Sequence, residues 1–269
     1  MREILRFEDV SYSYEEGRAA LAGLTVSVGE GERVAVLGEN GAGKSTFFLL
    51  ANGVLVPQTG CVYFESNPIG NKTGSLNTLR RGVGLVFQDP DVQIFGGTVE
   101  EEISFGPMNL NIPLSEVRSR VDEAVNNFAL EEYRQRVPHS LSGGEKKRIT
   151  LADALAMQPR VLLLDEPASS LDPANAKLLE DNLAMLAARG IALVVATHDV
   201  DFAWRWAQRV LIFRKGKLEA DGAPENIFAD AALLHRCGLE QPLLFRVAEI
   251  LKLPAVPRTA EELEQEWNS

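Results

Sequence analysis

The sequence predicts an α/β fold with a mixed sheet, and three features of the chain lead to that prediction. Apolar runs of strand length recur along it, as expected of parallel strands that are buried on both faces. The first of these runs leads through a glycine-rich turn into a helix-like stretch, the strand–turn–helix order of α/β folds. Residues 1–32 instead alternate as short strands, which predicts a separate antiparallel sheet.

The predicted elements divide the chain into a main domain and a C-terminal extension. Buried parallel strands are expected at residues 33–37, 83–87, 161–164, 191–196 and 210–213. The antiparallel sheet is expected to contain residues 4–7, 10–14, 24–28 and 61–64. A hairpin around Lys215-Gly216 should close the main sheet.

Helices are expected in two parts of the chain. The apolar period predicts a helical subdomain at about residues 98–157. After Gly222, prolines separate helical segments at residues 224–234, 243–252 and 260–267. We therefore expect a domain at residues 1–222 and a helical extension at 223–269.

Composition and charge limit the classes of function. The chain has 269 residues, 45% of them hydrophobic, enough for one α/β core with an appended subdomain. Its net charge of −11 argues against unaided binding to nucleic acid or to an anionic lipid surface. Cys61 and Cys237 are isolated, which indicates thiols in a reducing compartment, and the histidines are too scattered for a metal site. Without an apolar run of about 20 residues or a signal-peptide core, we expect a cytoplasmic protein that reaches a membrane through a partner.

The glycine-rich turn carries the most specific motif, Gly38-Glu39-Asn40-Gly41-Ala42-Gly43-Lys44-Ser45-Thr46. It matches the phosphate-binding pattern G-x-x-x-x-G-K-[S/T] between an apolar strand and a helix. Backbone N–H groups of the turn and the helix N-terminus converge there and favour an anion. Lys44 can reach the β- and γ-phosphates of a bound nucleotide, and the Ser45 hydroxyl can bind Mg²⁺. A chance match in a glycine-rich loop is the alternative, and the flanking strand and helix oppose it.

Two carboxylates, Asp165 and Glu166, follow the apolar run at residues 161–164. Ligands of open parallel sheets bind at the carboxyl ends of the strands, where these side chains emerge. Asp165 is therefore expected to hold Mg²⁺, directly or through water, and Glu166 to activate the attacking water as general base. A solvated strand end would explain one acid, but it explains two acids beside a phosphate loop less well.

A third motif, Leu141-Ser142-Gly143-Gly144-Glu145, precedes a helix rich in lysine and arginine. Ser142 can cap that helix, and Gly143 and Gly144 let backbone amides approach an anion. Alone, the motif is only a good helix start. Together with the two nucleotide motifs, residues 3–225 resemble the ATP-binding subunit of an ABC (ATP-binding cassette) transporter. The resemblance implies a P-loop ABC ATPase fold and makes residues 141–145 the family's signature motif.

The resemblance also implies roles for single residues. Tyr14 resembles the aromatic residue that stacks on adenine, although Tyr12 shares its strand face and could take that role, and sheet packing would explain either. Gln88 resembles the glutamine that reports Mg²⁺ and the water to the membrane partner, and His198 the switch histidine that contacts the γ-phosphate. Asp172, in Ser169-Ser170-Leu171-Asp172, resembles part of the loop that crosses the dimer interface.

The family resemblance further implies partners. In this family the signature of one subunit completes the nucleotide site of the other, so a chain with every motif intact is expected to form a homodimer. The segment Gln88-Asp89-Pro90-Asp91-Val92-Gln93-Ile94-Phe95 resembles that of the ATPases of energy-coupling-factor importers, especially the cobalt-importing type. In that group a short helix after the glutamine forms part of a groove for the coupling helices of the membrane subunit. Residues 238–242 and the prolines beyond resemble the group's C-terminal extension, which helps to hold two ATPases together.

On this interpretation, Ile94 and Phe95 supply apolar contact area for the membrane partner, and Asp91 or Gln93 could orient a coupling-helix group. The alternative makes Ile94 and Phe95 core residues beneath an ordinary loop.

The resemblance implies an ATP-hydrolysing subunit on the cytoplasmic face of the membrane, energising an importer that carries cobalt. Nickel and vitamin importers use very similar ATPases and remain alternatives. A soluble ABC ATPase acting on nucleic acid or ribosomes is opposed by the acidic charge and the single cassette. A non-catalytic nucleotide-binding regulator is opposed by the intact Asp165-Glu166 pair and the signature motif.

Overall fold

The computed structural model describes residues 2–15, 17–70, 73–169 and 171–267. The strands of these residues are β1 (Glu3–Glu15), β2 (Arg18–Gly29), β3 (Arg33–Leu37), β4 (Thr59–Phe64), β5 (Asn67–Ile69), β6 (Val83–Val86), β7 (Val161–Asp165), β8 (Ala192–Ala196), β9 (Arg209–Arg214) and β10 (Lys217–Gly222). The helices are α1 (Lys44–Ala51), α2 (Thr73–Gly82), α3 (Val99–Met108), α4 (Leu114–Asn127), α5 (Gly143–Ala156), α6 (Pro173–Ala188), α7 (Val200–Trp206), α8 (Pro224–Ala229), α9 (Ala231–Arg236), α10 (Leu243–Leu251) and α11 (Ala260–Trp267). Single 3₁₀ turns lie at Pro90–Val92, Glu131–Tyr133 and Pro138–Ser140.

The described strands form the two sheets that the sequence predicts. The main sheet has the order β10-β9-β3-β8-β7-β6, in which the strands from β9 to β6 run parallel and β10 pairs antiparallel with β9. The β9–β10 turn at Lys215 and Gly216 has positive φ at both residues, which suits a two-residue hairpin. The second sheet is antiparallel, with the order β2-β1-β4-β5. The predicted α/β fold class with a mixed sheet is confirmed.

The register of the parallel strands aligns their carboxyl ends. Val36 of β3 pairs with Ala196 of β8, which also pairs with Asp165 of β7. Val86 of β6 lies opposite Leu164 of β7. The loops after β3, β6, β7 and β8 therefore leave the sheet at one edge, and each of them carries residues that the sequence assigns to the site.

Alternate residues of the buried strands face opposite layers of the core. Val34 and Val36 of β3 pack with the antiparallel sheet and α1, whereas Ala35 and Leu37 pack with the helices on the other face. Phe47 of α1 is fully buried, with its ring 4.9 Å from that of Phe7 and 5.4 Å from that of Phe213. This packing fixes α1, and with it the end of the phosphate loop, against both sheets.

Helices α3, α4 and α5 occupy the region predicted to be helical. The sequence prediction did not include α2, which contains Gly74 and Gly82 and so carries a weak helix signal. It also omitted α7 and α6, although Asp172 and Pro173 form a clear start signal for α6. The segment predicted as one helix at 224–234 is two helices. Asp230 ends α8 and caps α9, because its Oδ1 accepts a hydrogen bond from the N–H of Leu233 in the first turn of α9.

The C-terminal helices pack onto the main core. Phe228 and Phe245 belong to the same buried cluster as Trp204 of α7, and both rings meet Trp204 edge-on. Trp204 Nε1 also donates a hydrogen bond to the carbonyl oxygen of Pro257, at 2.9 Å. Of the helices in the described ranges, none is both long enough and apolar enough to span a lipid bilayer.

Candidate active site

The phosphate loop connects the carboxyl end of β3 to α1. Gly38 has φ +147° and Gly43 φ +113°, values that side chains of L-residues strongly disfavour. A Cβ at Gly38 would lie 2.3 Å from the carbonyl oxygen of Phe213, and one at Gly43 would lie 2.8 Å from that of Ala20. Both glycines are therefore required by the path of the loop. The first backbone N–H groups of α1 lack partners within the helix and can bind an anion.

A cavity of about 430 Å³ opens at this edge of the sheet. Its volume lies in the range of small-molecule sites. Its wall combines the phosphate loop with the ends of β1, β6 and β7. The lining residues are Tyr14, Glu15, Ala19, Ala20, Glu39, Asn40, Gly41, Ala42, Gly43, Lys44, Ser45, Thr46, Gln88, Asp165 and Glu166.

Lys44 lies inside the phosphate loop and is 7% exposed. Its Nζ donates to the carbonyl oxygens of Gly38, at 2.6 Å, and Glu39, at 3.3 Å. Burial lowers the pKa of Lys44, against the opposing effect of the Glu166 and Asp165 charges. A phosphate entering the loop would offer this ammonium group a direct negative partner.

Ser45 and Asp165 form a pair of oxygen donors in the same cavity. Ser45 Oγ donates a hydrogen bond to Oδ2 of Asp165, at 2.8 Å. Mg²⁺ prefers hard oxygen ligands and usually takes one or two protein carboxylates or hydroxyls together with phosphate oxygens and water. These two residues fit that donor set, and Gln88 lines the same cavity.

Glu166 and His198 form a hydrogen-bonded pair beside the phosphate loop. Oε2 of Glu166 lies 3.0 Å from Nδ1 of His198, and the Glu166 side chain is 12% exposed against 78% for the histidine. Glu166 has φ 44°, a left-handed conformation that is unusual for a glutamate, and its N–H donates to the Ala196 carbonyl oxygen. Such backbone strain is typical of functional positions. His198 contacts the site through Glu166 and does not itself line the cavity.

The two tyrosines of β1 occupy different environments. Tyr14 is 60% exposed, lines the cavity and places its hydroxyl 3.3 Å from Thr46 Oγ1. Tyr12 is partly buried against the core and contacts Tyr14 edge-on. Of the two tyrosines that the sequence left open, Tyr14 is the one with a face available to a ligand in the cavity.

The signature residues lie elsewhere on the chain. Ser142 begins α5 with a capping box: its backbone N–H and its hydroxyl both donate to Glu145 Oε2, at 2.7 Å. A Cβ at Gly144 would lie 2.5 Å from the Asn175 side chain, and Asn175 in turn donates to Asp172. Neither these signature residues nor Asp172 lines the cavity. Ser142 and the neighbouring Gly143 are exposed on this separate face. Ser170 of the predicted interface loop lies outside the described residues.

The structure differs from two expectations about the segment after Gln88, those for Ile94 and Gln93. Ile94 is 4% exposed and belongs to the core, so it does not offer contact area to a partner, whereas Phe95 is 62% exposed. Gln93 is directed inward: its Oε1 accepts from the Phe87 N–H and its Nε2 lies 3.5 Å from Asp153 Oδ2. Asp91 is exposed, as expected, and pairs with Lys146 at 2.8 Å.

Sequence reasoning missed the role of Lys147, which is 3% exposed and donates to two backbone carbonyl groups. The signal was present, since Lys147 shares a helix face with the buried residues Leu151 and Ala154 at intervals of four and seven. It also missed a contact with the C-terminal extension, where a Cβ at Gly238 would lie 2.1 Å from Glu39 Oε1. No pattern in the sequence indicates that contact.

The fold and the site define a P-loop ATPase, with a phosphate loop, a carboxylate pair on a neighbouring strand and a cavity between them. Residues 21–169 match the family model described as ABC transporter. The chain is 44% identical over 248 residues to the energy-coupling factor transporter ATP-binding protein EcfA of Methanothermobacter thermautotrophicus. That alignment covers 92% of this chain and 79% of the relative. It is also 44% identical over 262 residues to the cobalt import ATP-binding protein CbiO of Rhodobacter capsulatus, in an alignment that covers 97% of this chain and 94% of the relative.

Solved structures agree with these sequence relatives. CbiO1 from Clostridium perfringens, described as part of the ABC transporter complex CbiONQ, superposes with a TM-score of 0.79 at 35% identity, covering 94% of this chain and all of that one. The ATP-binding cassette MJ0796, solved as a dimer in a post-hydrolysis state with ADP and Pi, gives a TM-score of 0.74 at 28% identity. That superposition covers 82% of this chain and 99% of the cassette. The chain belongs to the ABC transporter family and is an ABC-type ATPase. The resemblance stated from its motifs is thereby confirmed.

Proposed function

We propose that this chain is the ATP-hydrolysing subunit of an energy-coupling-factor importer for cobalt ions, held at the cytoplasmic face of the membrane by integral transport subunits. The observation that carries the proposal is the cavity in which Lys44, the Ser45–Asp165 pair and Glu166 meet. The importer class is supported by relatives that are named as energy-coupling factor and cobalt import ATP-binding proteins.

Several residues of the cavity are assigned parts in hydrolysis. Tyr14 would stack on adenine, Lys44 and the loop N–H groups would bind the phosphates, and Ser45 and Asp165, with Gln88, would hold Mg²⁺. When bound, Mg²⁺ neutralises phosphate charge that develops during transfer. Glu166 accepts the proton of the attacking water as general base.

His198 fits a positioning role next to that base. Its Nδ1 lies 3.0 Å from Glu166 Oε2, so it can orient the carboxylate. Its other ring nitrogen is proposed to contact the γ-phosphate. Because the carboxylate is largely buried and the imidazole largely exposed, the histidine can respond to a partner while the base stays in place.

A second copy of the chain completes the site in this proposal. Ser142 and Gly143 are exposed at the helix N-terminus that continues into Gly144, none of the three lines the cavity, and this N-terminus fits the γ-phosphate bound by the other subunit. The extension at residues 223–269 would add dimer contacts, and its exposed apolar side chains, Leu243, Ile250 and Trp267, support that use.

The membrane subunit is proposed to bind at residues 89–95 and the adjacent face of α3. Phe95 packs edge-on against Phe105, both rings are more than half exposed, and Met108 is 62% exposed. Ile94 provides a matched control because it is next in sequence but buried.

A paired truncation tests this surface. Phe95→Ala should leave the melting temperature and ATP affinity near wild type while reducing copurification with membrane subunits. Ile94→Ala should instead lower stability by about 2–5 kcal/mol, as expected for a truncated core side chain. Normal assembly and transport by the Phe95→Ala protein would contradict the assignment of this surface.

The transported solute is tested by uptake. Cells with and without this chain and its membrane partners are compared for uptake of labelled cobalt, nickel and vitamins, with Glu166→Gln as the inactive control. Loss of cobalt uptake alone supports the proposal. Loss of nickel or vitamin uptake instead would make that solute, and not cobalt, the transported one, and the chain would still belong to an importer. Copurification with ribosomes or nucleic acid without membrane subunits would overturn the assignment to an importer.

A further inference from the structure

Lys147 places a buried ammonium group under the end of β6. It lies on α5, the helix that Ser142 begins, and is 3% exposed. Its Nζ donates to the carbonyl oxygens of Gln88, at 2.8 Å, and Phe87, at 3.1 Å. Burial lowers the pKa of Lys147 to about 8, although the charges of Asp89 and Asp165 oppose the shift.

A buried ammonium group would lower the stability of the fold if the side chain served only to fill space. A buried charge lowers stability unless it is well hydrogen-bonded, and an apolar side chain of similar length would pack at lower cost. Within the described residues, the hydrogen bonds that the Lys147 ammonium donates all go to backbone oxygens of Phe87 and Gln88. The group therefore fixes the main chain at the point where Gln88 enters the cavity.

The segment that follows Gln88 is attached to the same helical subdomain at further points. Glu102 of α3 is 1% exposed, and its Oε2 accepts from the N–H groups of Phe95 and Gly96. Gln93 bridges the Phe87 N–H and Asp153 of α5. We call Gln93, Glu102, Lys147 and Asp153 the support cluster. Through it, the backbone of residues 87–96 is fixed to α3 and α5 near both ends of the segment, at Phe87 and Gln88 and at Phe95 and Gly96.

We propose that Lys147 is a positioning residue that fixes Gln88 to α5, the helix that Ser142 begins. The placement of Ser142 against a second subunit then determines where Gln88 lies in the cavity of its own chain. The proposal rests on the proposed function in two respects, namely that Gln88 acts in hydrolysis and that Ser142 meets a second subunit. Lys147 does not line the nucleotide cavity and acts through the Gln88 backbone.

The test is a double-mutant cycle on the purified full chain, with ATP affinity, kcat, KM and melting temperature measured for each variant. Lys147→Met keeps the length of the side chain but removes the donors. Its kcat is expected to fall about 10- to 100-fold, the usual effect of losing a partner that orients an active-site group, with ATP affinity retained. Lys147→Arg, which keeps the charge and the donors, should recover most of the rate.

Two comparisons separate positioning from a structural role. Lys146→Met, one residue earlier and bonded to the exposed Asp91, should keep the wild-type kcat. Gln88→Ala combined with Lys147→Met should be no slower than Gln88→Ala alone, because both changes remove the same contribution. Should Lys147→Met fail to fold, Lys147→Gln, a neutral residue that still has N–H donors, replaces it, with a partial loss of kcat expected.

Distinct results would overturn the inference or the proposed function. A wild-type kcat for Lys147→Met, or multiplicative losses in the double variant, would overturn the positioning role. If Gln88→Ala itself had no effect on hydrolysis, the role proposed for Gln88 would fail, and the positioning role would fail with it. A wild-type chain without ATPase activity in the presence of Mg²⁺ would count against the proposed function instead.

Discussion

Gln88 connects two groups of charged residues that face different surroundings. In the cavity, Lys44, Asp165 and Glu166 surround an open space of about 430 Å³. In the support cluster, Lys147 and Glu102 face carbonyl and N–H groups of the chain itself. Both lysines donate to backbone oxygens, and burial lowers the pKa of each.

The two regions differ in what surrounds the ammonium group of the lysine. Lys44 can exchange its carbonyl partners for a phosphate, because the loop opens to the cavity. Lys147 is enclosed, and its partners are the carbonyl groups of Phe87 and Gln88, just after β6. Burial and a lowered pKa are thus common to both lysines, and what distinguishes Lys44 is the nucleotide-sized cavity that it lines.

The largest expected effect is in the cavity. Glu166→Gln should reduce kcat by about 10²–10⁴-fold while ATP still binds, since a positioned general base contributes that much. ATP should then stay trapped in a persistent dimer, measurable by single-turnover hydrolysis and size-exclusion chromatography. Near-normal turnover would remove Glu166 from the role of base.

The next effect tests whether a second subunit is needed. Ser142→Arg should lower hydrolysis by about 10²–10³-fold, comparable to the loss of a transition-state anion site, while the monomer still binds ATP. The control Ser115→Arg adds the same side chain to an exposed position of α4. Mixing Ser142→Arg with Lys44→Ala chains should restore part of the activity, because one composite site is then intact. Loss of ATP binding by the Ser142→Arg monomer would contradict the dimer model.

A smaller effect contrasts the two lysines directly. Lys44→Ala should weaken ATP affinity about 10- to 100-fold, because hydrogen bonds to charged groups contribute about 1.5–3 kcal/mol. Lys147→Met should leave affinity within about twofold, since its donors face only the chain. Fluorescent ATP titration measures both. Equal losses of affinity in the two variants would mean that the support cluster is part of the binding site.

The smallest effect concerns stability in the support cluster. Burial and the nearby Glu102 raise the pKa of Asp153 from 3.8 to about 7. Between those pH values the folded protein holds a proton that the unfolded chain releases, so the free energy of unfolding should fall as pH rises. One proton limits the slope to about 1.4 kcal/mol per pH unit. Urea unfolding at several pH values should show this contribution in the wild type and not in Asp153→Asn, and identical slopes would refute it.

Residues 87–96 show where sequence reasoning stops. The sequence predicts a strand before the segment and helices after it, but the segment itself has only the 3₁₀ turn at Pro90–Val92. Its conformation depends on side chains from α3 and α5, which are distant in sequence. For that reason the sequence left open whether Ile94 and Phe95 are exposed or buried, and it did not indicate the inward direction of Gln93. The structure exposes Phe95 and buries Ile94.

The sequence by itself determined the fold class and the composition of the nucleotide site. Strand periodicity placed the parallel strands, and the spacing of Gly38, Gly43, Lys44 and Ser45 specified a phosphate loop, because these signals are local and follow from backbone geometry. The Asp165–Glu166 pair at a strand end gave the remaining chemistry.

Only the tertiary structure decided which surfaces these residues share. The strand register brings the loops after β3, β6, β7 and β8 together, while packing of α5 against α6 keeps Ser142 and Asp172 on a separate face. It also distinguishes Tyr14 from Tyr12 and encloses Lys147. Such contacts join residues that are far apart in the chain, and their energies depend on burial and distance, which a local pattern does not contain.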